Sequence, residues 1–273
     1  MTIMRIVVCL KQVIDPLTPA STLVLDKEEK KVKVGTSAPP VINGFDEQAL
    51  EAALRVRESV KDVEIVCVAV SDRFNADVMK RSLAVGADQL ILVQDPSLAT
   101  WNPYPIAAVL GAVIRQIGGA DLVLCGRQGS DWDNAVTPCI LADLLELPML
   151  TLAKSVRIEA GKQVWIERVL PNGSMTMFAE LPALVTVTSE LGVLRMPTVA
   201  ARLATARKQP RAIALSELAH VRTESYAPRV VDLAIPAMGR TCTFIEAADG
   251  HEAGSRLAET LIAAGAIHLH RES

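Results

Sequence analysis

Aromatic residues make up only 3% of this chain, although half of it is hydrophobic. Alanine, valine and leucine must therefore fill the core. Small and branched side chains suit parallel strands covered by helices on both faces, whose strands read as unbroken apolar runs. A charge imbalance is missing too. With 28 basic against 31 acidic residues and a net charge of −3, nothing in the balance draws the chain to nucleic acid or to an anionic membrane. No run approaches the ~18 apolar residues of a membrane-spanning helix, and Met1–Leu10 is too short for a signal-peptide core with its flanks. The expected location is the cytoplasm. The five cysteines (Cys9, Cys67, Cys125, Cys139, Cys242) form no C-x-x-C pair, and the four histidines lie late in the chain without ligand-like spacing to them. That pattern argues against a metal centre, and Cys9, Cys67 and Cys125 read as packed thiols of a reducing compartment. Neither GxGxxG nor GxxxxGK[ST] occurs, which removes the usual support for dinucleotide-binding Rossmann and P-loop readings.

What is present is an alternation of strand and helix signals. Arg5–Leu10 (RIVVCL) reads as a buried strand that delivers Lys11 and Gln12 at its end. Thr22–Val34 alternates apolar and charged residues like a peripheral hairpin. After the Asn43-Gly44 turn, Asp46 is the expected N-cap of a helix with the stripe Ala49, Leu50, Ala53, Leu54 and Val56. Then follow a strand at Val63–Val70, a helix at Ala76–Val85 closed by Gly86, a strand at Asp88–Val93, a helix at Pro105–Ile117 and a strand at Leu122–Cys125. This order calls for an α/β fold with a doubly wound parallel sheet.

Beyond Pro148 the pattern changes. Two alternating runs, Ser155–Arg168 and Met175–Leu181, flank Pro171-Asn172-Gly173 and predict a β-hairpin insertion at 155–181. Leu184–Thr188 reads as a further strand, and Ala200–Arg211 is basic through Arg202, Arg207, Lys208 and Arg211. Such a charge run fits either a solvated face or a docking surface. His220–Ala237 lacks periodicity and predicts an extended C-terminal arm, whose apolar Val230–Ala237 implies a subunit interface. Gly254–Ala266 reads as a helix. The expected organisation is a nucleotide-binding domain at 1–215, then an arm and helix at 216–273 that pack on a partner subunit.

The most informative stretch is Asp121–Leu147. A buried strand runs into GRQGSDWDNAVT, residues 126–137, and then into a helix rich in Leu and Ala. Asp133 or Asn134 is the expected N-cap. A helix N-terminus at a strand's carboxyl end carries unpaired N–H groups and the positive end of a dipole. It therefore suits phosphate, in a nucleotide or another phosphate ester. The residues alone do not name it, and an ordinary strand–loop–helix turn is the plain alternative.

Several segments together resemble one family. They are MRIVVCLKQVID, INGFDEQALEAAL, LAVGAD, CGRQGSDWDNAVT and LPALVTVTSELGVLRMPTVAARLATARKQP. In that order they resemble the β-subunit of an electron-transfer flavoprotein over essentially the full length, most specifically at LPAxxTVTxxL…RxPT. The resemblance implies an adenine nucleotide α-hydrolase-like domain paired with a larger α-subunit in a heterodimer. It implies an FAD held mainly by the α-subunit and an AMP without redox role in this chain. Electron-bifurcating members hold a second FAD in that place. It further implies a carrier without catalytic residues of its own, with a flavin-linked dehydrogenase as donor and an oxidoreductase as acceptor.

By the same resemblance, Cys9, the turn Asn43, Gly44, Phe45 and Asp46, and Val70 form the adenosine side of the site. Gly126, Arg127, Gln128, Asp131, Asp133, Asn134, Ala135, Val136 and Thr137 form its phosphate side. Asp131 and Asp133 would repel a phosphate, so they are expected to cap the helix or brace the loop. Arg127 is the only cation of the loop, there to neutralise phosphate or to make a surface ion pair.

Here the helix start reads Asp131-Trp132-Asp133-Asn134-Ala135-Val136-Thr137-Pro138. The family's AMP form is close to D-x-D-x-N-Q-T-G, and its bifurcating form is D-G-D-T-A-Q-V-G-P. This chain shares Ala135 with the second form and carries Trp132 where that form keeps a small residue. AMP is the expectation, with FAD open. Pro16 stands where some members carry an aromatic residue near the α-subunit's flavin. Residues 191–203 match the family's partner-recognition loop, and Val199 matches its aliphatic anchor, unless it packs beneath its own loop. A free-standing nucleotide sensor and an adenylating enzyme are the rival readings.

Overall fold

The computed structural model describes residues 3–28, 31–34, 39–98, 102–159, 162–218, 221, 230–234 and 242–267. The chain divides into two compact units, Met1–Asp232 and Leu233–Ser273.

In the first unit, β1 (Met4–Leu10) passes through β2 (Gln12–Ile14), the hairpin β3 (Leu23–Asp26) and β4 (Lys31–Val34), and β5 (Pro40–Ile42). Helix α1 (Gly44–Ser59) leads to β6 (Val63–Ser71), the short helices α2 (Ala76–Met79) and α3 (Arg81–Val85), and β7 (Gln89–Gln94). Helix α4 (Pro103–Gln116), β8 (Leu122–Gly126) and α5 (Thr137–Leu144) follow. Then come β9 (Met149–Glu159), β10 (Gln163–Leu170), β11 (Gly173–Glu180), β12 (Ala183–Val187), α6 (Val199–Ala206) and β13 (Arg211–Ala212).

Among the described residues the main sheet has nine strands, in the order β11-β10-β9-β12-β8-β1-β6-β7-β13. From β9 through β13 all neighbours are parallel, and β10 runs antiparallel to both β9 and β11. The doubly wound α/β reading holds.

Side chains alternate faces along each central strand, as a two-residue period requires. Ile6, Val8 and Leu10 face one core with Leu50 and Leu54 of α1. Val7 and Cys9 face a second core with Val113 of α4 and Leu141 of α5. Each fully buried Leu or Ile there stabilises the fold by roughly 1.5–3 kcal/mol. Arg195 of the 192–198 segment and Arg55 both reach Glu51 of α1, so this helix also anchors the chain after β12.

Three expectations need correction. The stretch Ser155–Arg168 is not one strand: it folds back into the end of β9 and most of β10, and the meander β9–β11 widens the main sheet instead of forming a separate hairpin. The helix expected at Ala76–Val85 breaks at Lys80, where the Ser82 hydroxyl donates to Met79 O at 2.8 Å and competes with the helical ladder. The basic run beginning at Ala200 is part helix and part strand, since Arg211 and Ala212 add an edge to β7.

The second unit contains α7 (Gly250–Ala263), capped by Asp249, whose carboxylate accepts from Glu252 N at 2.9 Å. Glu252 in turn accepts from Ala248 N at 2.9 Å and from Arg256 at 2.6 Å. No residue of this helix is buried. The expected arm at His220–Ala237 lies largely outside the described residues.

The chain runs from β1 to β6 and β7 on one side, then returns through α4 to β8 on the other. The winding therefore reverses between β1 and β8, and ligands of open α/β sheets bind outside the carboxyl ends of the strands at such a point.

Candidate functional site

The carboxyl ends of β1 and β8 are tied together by the first turn of α1. Asp46 Oδ2 accepts the Lys11 N–H at 2.7 Å and its Oδ1 accepts the Gly126 N–H at 3.1 Å. Asn43, 1% exposed, donates its amide to Gln128 O at 2.8 Å and accepts the Ser130 N–H at 3.2 Å. Its own N–H donates to Lys11 O at 2.8 Å. Asn43, not Asp46, holds the N-cap position of α1, and it spends its side chain on the loop after β8 instead of on the helix. Burial pushes the Asp46 carboxyl up to about 7, against the hydrogen bonds it receives from Lys11, Asn43 and Gly126.

Gly126 serves this junction. A Cβ there would stand 2.6 Å from Phe45 Cβ and 2.7 Å from the Phe45 carbonyl carbon. The glycine admits α1 against the strand end, so backbone contact with a ligand is not its only use.

The loop beyond Gly126 is braced from within. Lys11 Nζ lies 2.8 and 2.7 Å from the two oxygens of Asp131, Gln128 Nε2 donates to Asp133 Oδ1 at 2.6 Å, and Asp133 N donates to Gly129 O at 2.9 Å. Asp131 and Asp133 thus brace the loop, and neither Asp133 nor Asn134 caps α5. Its N-cap is Val136, without a side-chain cap, because the loop turns through left-handed conformations at Asp133 (φ 49°) and Ala135 (φ 55°). A left-handed Ala135 followed by a right-handed Val136 (φ −98°, ψ −34°) makes successive N–H groups converge into a nest for an anion. The N–H groups of Ala135, Val136 and Thr137 donate to nothing in the chain among the described residues.

Cys9 and Val70 are buried at the ends of β1 and β6. The Arg127 guanidinium lies 4.8 Å from the centre of the Phe45 ring, a cation–π contact, and its charge also helps hold the Glu190 carboxyl below its ordinary value. Two buried polar atoms of this loop, Arg127 Nε and Ser130 Oγ, have no hydrogen-bond partner among the described residues. A phosphate ester would give both an acceptor, so these residues fit a nucleotide. Two thiols are held away from ionisation: the neighbouring Cys9 and burial hold Cys125 well above the ordinary range, and burial pushes Cys67 up to about 12. Among the described residues no cluster of His, Cys, Asp or Glu could hold a metal ion, and no helix is long and apolar enough to cross a membrane.

A second feature lies after β12. Val193, Met196, Val199 and Leu203 are 85%, 69%, 75% and 70% exposed. Val199 is therefore not packed beneath its own loop. Leu194 between them is buried, and Arg195 clasps Glu51 through Nε at 3.0 Å and a terminal nitrogen at 2.9 Å. Burial, which would raise the Glu51 carboxyl, is outweighed by Arg195 and Arg55, so it sits below its ordinary value.

Residues 32–218 match the family model described as the electron transfer flavoprotein domain. The chain belongs to the electron transfer flavoprotein family. It is 32% identical over 203 residues to the electron transfer flavoprotein subunit beta of Thermoanaerobacterium thermosaccharolyticum, with 72% of each chain covered. The corresponding subunit of Megasphaera elsdenii is 29% identical, with 76% of each chain covered. Subunit CarD of the caffeyl-CoA reductase-Etf complex of Acetobacterium woodii is 30% identical, with 72% of each chain covered. The chain is accordingly a β-type electron transfer flavoprotein subunit with a role in electron transfer.

Sequence reasoning had not assigned roles to Lys11, Ser130, Glu51 or Arg195. Lys11 follows RIVVCL directly and Arg195 opens RMPT, so both stood inside quoted motifs. Their partners lie 120 and 144 residues away, and no local pattern carries that pairing.

Proposed function

We propose that this chain is the β-subunit of a heterodimeric cytoplasmic electron carrier. A larger α-subunit holds most of the redox-active FAD, and this chain binds AMP at the β1–β8 switch point. The observation that carries the reading is the nest at Ala135–Thr137 with its undonated N–H groups, on the same loop as the orphaned Arg127 Nε and Ser130 Oγ. The remaining residues of the site take complementary parts. Cys9, Val70 and the turn Asn43–Asp46 offer small or apolar surface and backbone edges to an adenine, and Gln128, Asp131, Asp133 and Asn134 shape the loop around the phosphate. Lys11 neutralises Asp131 and so keeps a second negative charge from facing the ligand.

The flavin supplies the electron chemistry when bound. This chain contributes no acid, base or nucleophile, and its part is to stabilise the heterodimer and to meet the partners. Residues 216–273 pack on the α-subunit. The apolar strip Val193, Met196, Val199 and Leu203 receives a flavin-linked dehydrogenase as electron donor, and an oxidoreductase accepts the electrons downstream. Exposed aliphatic residues on a fixed backbone suit such a transient contact.

A second FAD in place of AMP is the second reading. Ala135 is shared with the bifurcating form, and Trp132, where that form keeps a small residue, is 45% exposed. The experiment is to co-purify this chain with its α-subunit, denature the complex and quantify the released nucleotides by chromatography. One FAD and one AMP per heterodimer support the simple carrier. Two FAD place a redox group at the 126–137 loop. No nucleotide beyond the α-subunit's FAD overturns the site.

A further inference from the structure

The segment 192–198 joins β12 to α6, and one ion-pair network ties it to α1. Arg195 donates from its backbone N–H to Glu51 Oε2 at 3.1 Å, from Nε to the same oxygen at 3.0 Å, and from a terminal nitrogen to Glu51 Oε1 at 2.9 Å. Its other terminal nitrogen reaches Glu58 at 2.5 Å, two turns further along the same face of the helix. Arg55 donates to Glu51 at 3.0 Å and to Leu191 O at 2.9 Å. Leu191 and Leu194 are buried. The backbone is therefore fastened at residues 191, 194 and 195, while the adjacent Val193 and Met196 project outward.

A planar guanidinium with donors in a fixed fork sets position and direction together, which a point charge on a flexible stem does not. Buried under the loop, Glu51 has no access to a docking protein. The network thus acts on the strip only through the backbone it holds.

We propose that Glu51 and Arg195 are positioning residues for electron-donor docking, which fix Val193, Met196, Val199 and Leu203 as one preformed apolar strip. The inference rests on the donor-docking reading of that strip. A strip ordered before contact loses little conformational freedom on binding, so its affinity depends on the clasp even though the clasp touches no partner.

The test uses the complex of this chain with its α-subunit, and a flavin-linked dehydrogenase reduced by its own substrate as donor. Arg195→Met, Arg195→Lys and Glu51→Gln are compared with the unaltered complex and with Val199→Asp. The readouts are the donor concentration at half-maximal flavin reduction, the limiting rate, reduction by dithionite, bound nucleotide, and amide hydrogen exchange over residues 193–206. In both Arg195 variants the half-saturating donor concentration should rise by about tenfold and exchange over 193–206 should accelerate. Limiting rate, dithionite reduction and nucleotide content should stay unchanged. Full rescue by Arg195→Lys would show that charge alone suffices and overturn the fork argument. An unchanged half-saturating concentration in all three clasp variants, with Val199→Asp raised, overturns the inference and leaves the docking reading standing. If Val199→Asp is unchanged as well, the docking reading itself fails. Lost nucleotide or lost dithionite-reducible flavin in all three clasp variants would mean a general folding role, and also overturns the inference.

Discussion

Gly126 and Asp46 approach so closely that a Cβ on Gly126 would lie 2.4 Å from Asp46 Oδ1, the atom that accepts the Gly126 N–H at 3.1 Å. Two elements 80 residues apart meet there, the end of β8 and the first turn of α1. A methyl at position 126 would also press on the backbone of Phe45, 2.7 Å away, which cannot swing aside as a side-chain tip would. Gly126→Ala is expected to cost about 1–3 kcal/mol of stability, as overpacking does. It should also release the nucleotide, since Asn43 and Asp46 hold the loop that forms the nest. Chemical denaturation of the co-purified complex, with nucleotide content measured beside it, checks both effects. An alanine variant of normal stability would show that α1 yields at this contact.

The same Asp46 gives the complex a pH dependence. Burial raises its folded pKa from 3.8 to about 7, so between those values the folded chain holds a proton that the unfolded chain has released. Stability then falls as pH rises through this window, by an amount on the order of a few kcal/mol. Asp46→Asn removes the titration. The difference in denaturation midpoint between wild type and Asp46→Asn should therefore shift against wild type from pH 5 to pH 8. A constant difference across that range would mean that the hydrogen bonds from Lys11 and Gly126 keep the carboxylate ionised throughout.

The strands that carry this site were legible because buried parallel strands leave continuous apolar runs. RIVVCL and LVLC are such runs, and the structure places them side by side as β1 and β8. Caps were less legible. Asp46 and Asp133 are good cap residues by type, but tertiary demand won: one carboxylate is needed by two strand ends and the other by Gln128. The left-handed Ala135 could not be foreseen, since alanine carries no signal for that conformation. The meander β9–β11 was half-read, because alternation marks a strand without marking where it folds back. Val199 was identified by resemblance alone, and its three exposed companions emerged only once Leu194 and Arg195 were seen to face inward.

Ala135 should respond to substitution in opposite directions. Its φ of 55° costs an L-residue about 1–2 kcal/mol, and glycine avoids that cost at the expense of a more flexible unfolded chain. Ala135→Gly is expected to keep the nucleotide and to leave stability unchanged or raised by up to about 1 kcal/mol. Ala135→Val places a β-branched side chain in the same conformation, which flattens the nest. That variant should lose nucleotide while the rest of the fold is retained, as circular dichroism and nucleotide quantification would show. Equal nucleotide content in both variants would remove the nest from the site.

Lys11 and Asp131 make a pair whose worth lies in electrostatics more than in stability. Their contacts of 2.8 and 2.7 Å involve a lysine side chain 46% exposed and an aspartate side chain 20% exposed, so breaking the pair should change global stability by about 0–1 kcal/mol. Lys11→Met nevertheless leaves the Asp131 carboxylate uncompensated on the loop proposed to hold a phosphate. Nucleotide retention should fall at low ionic strength and recover partly with added salt, which screens exposed charges. The double variant Lys11→Met with Asp131→Asn removes the repulsion along with the pair, and should retain nucleotide better than Lys11→Met alone. Isothermal titration of nucleotide into the stripped complex at two salt concentrations measures this coupling as a double-mutant cycle. Additive effects in that cycle, or a loss indifferent to salt, would mean that Lys11 does not act by compensating the Asp131 charge.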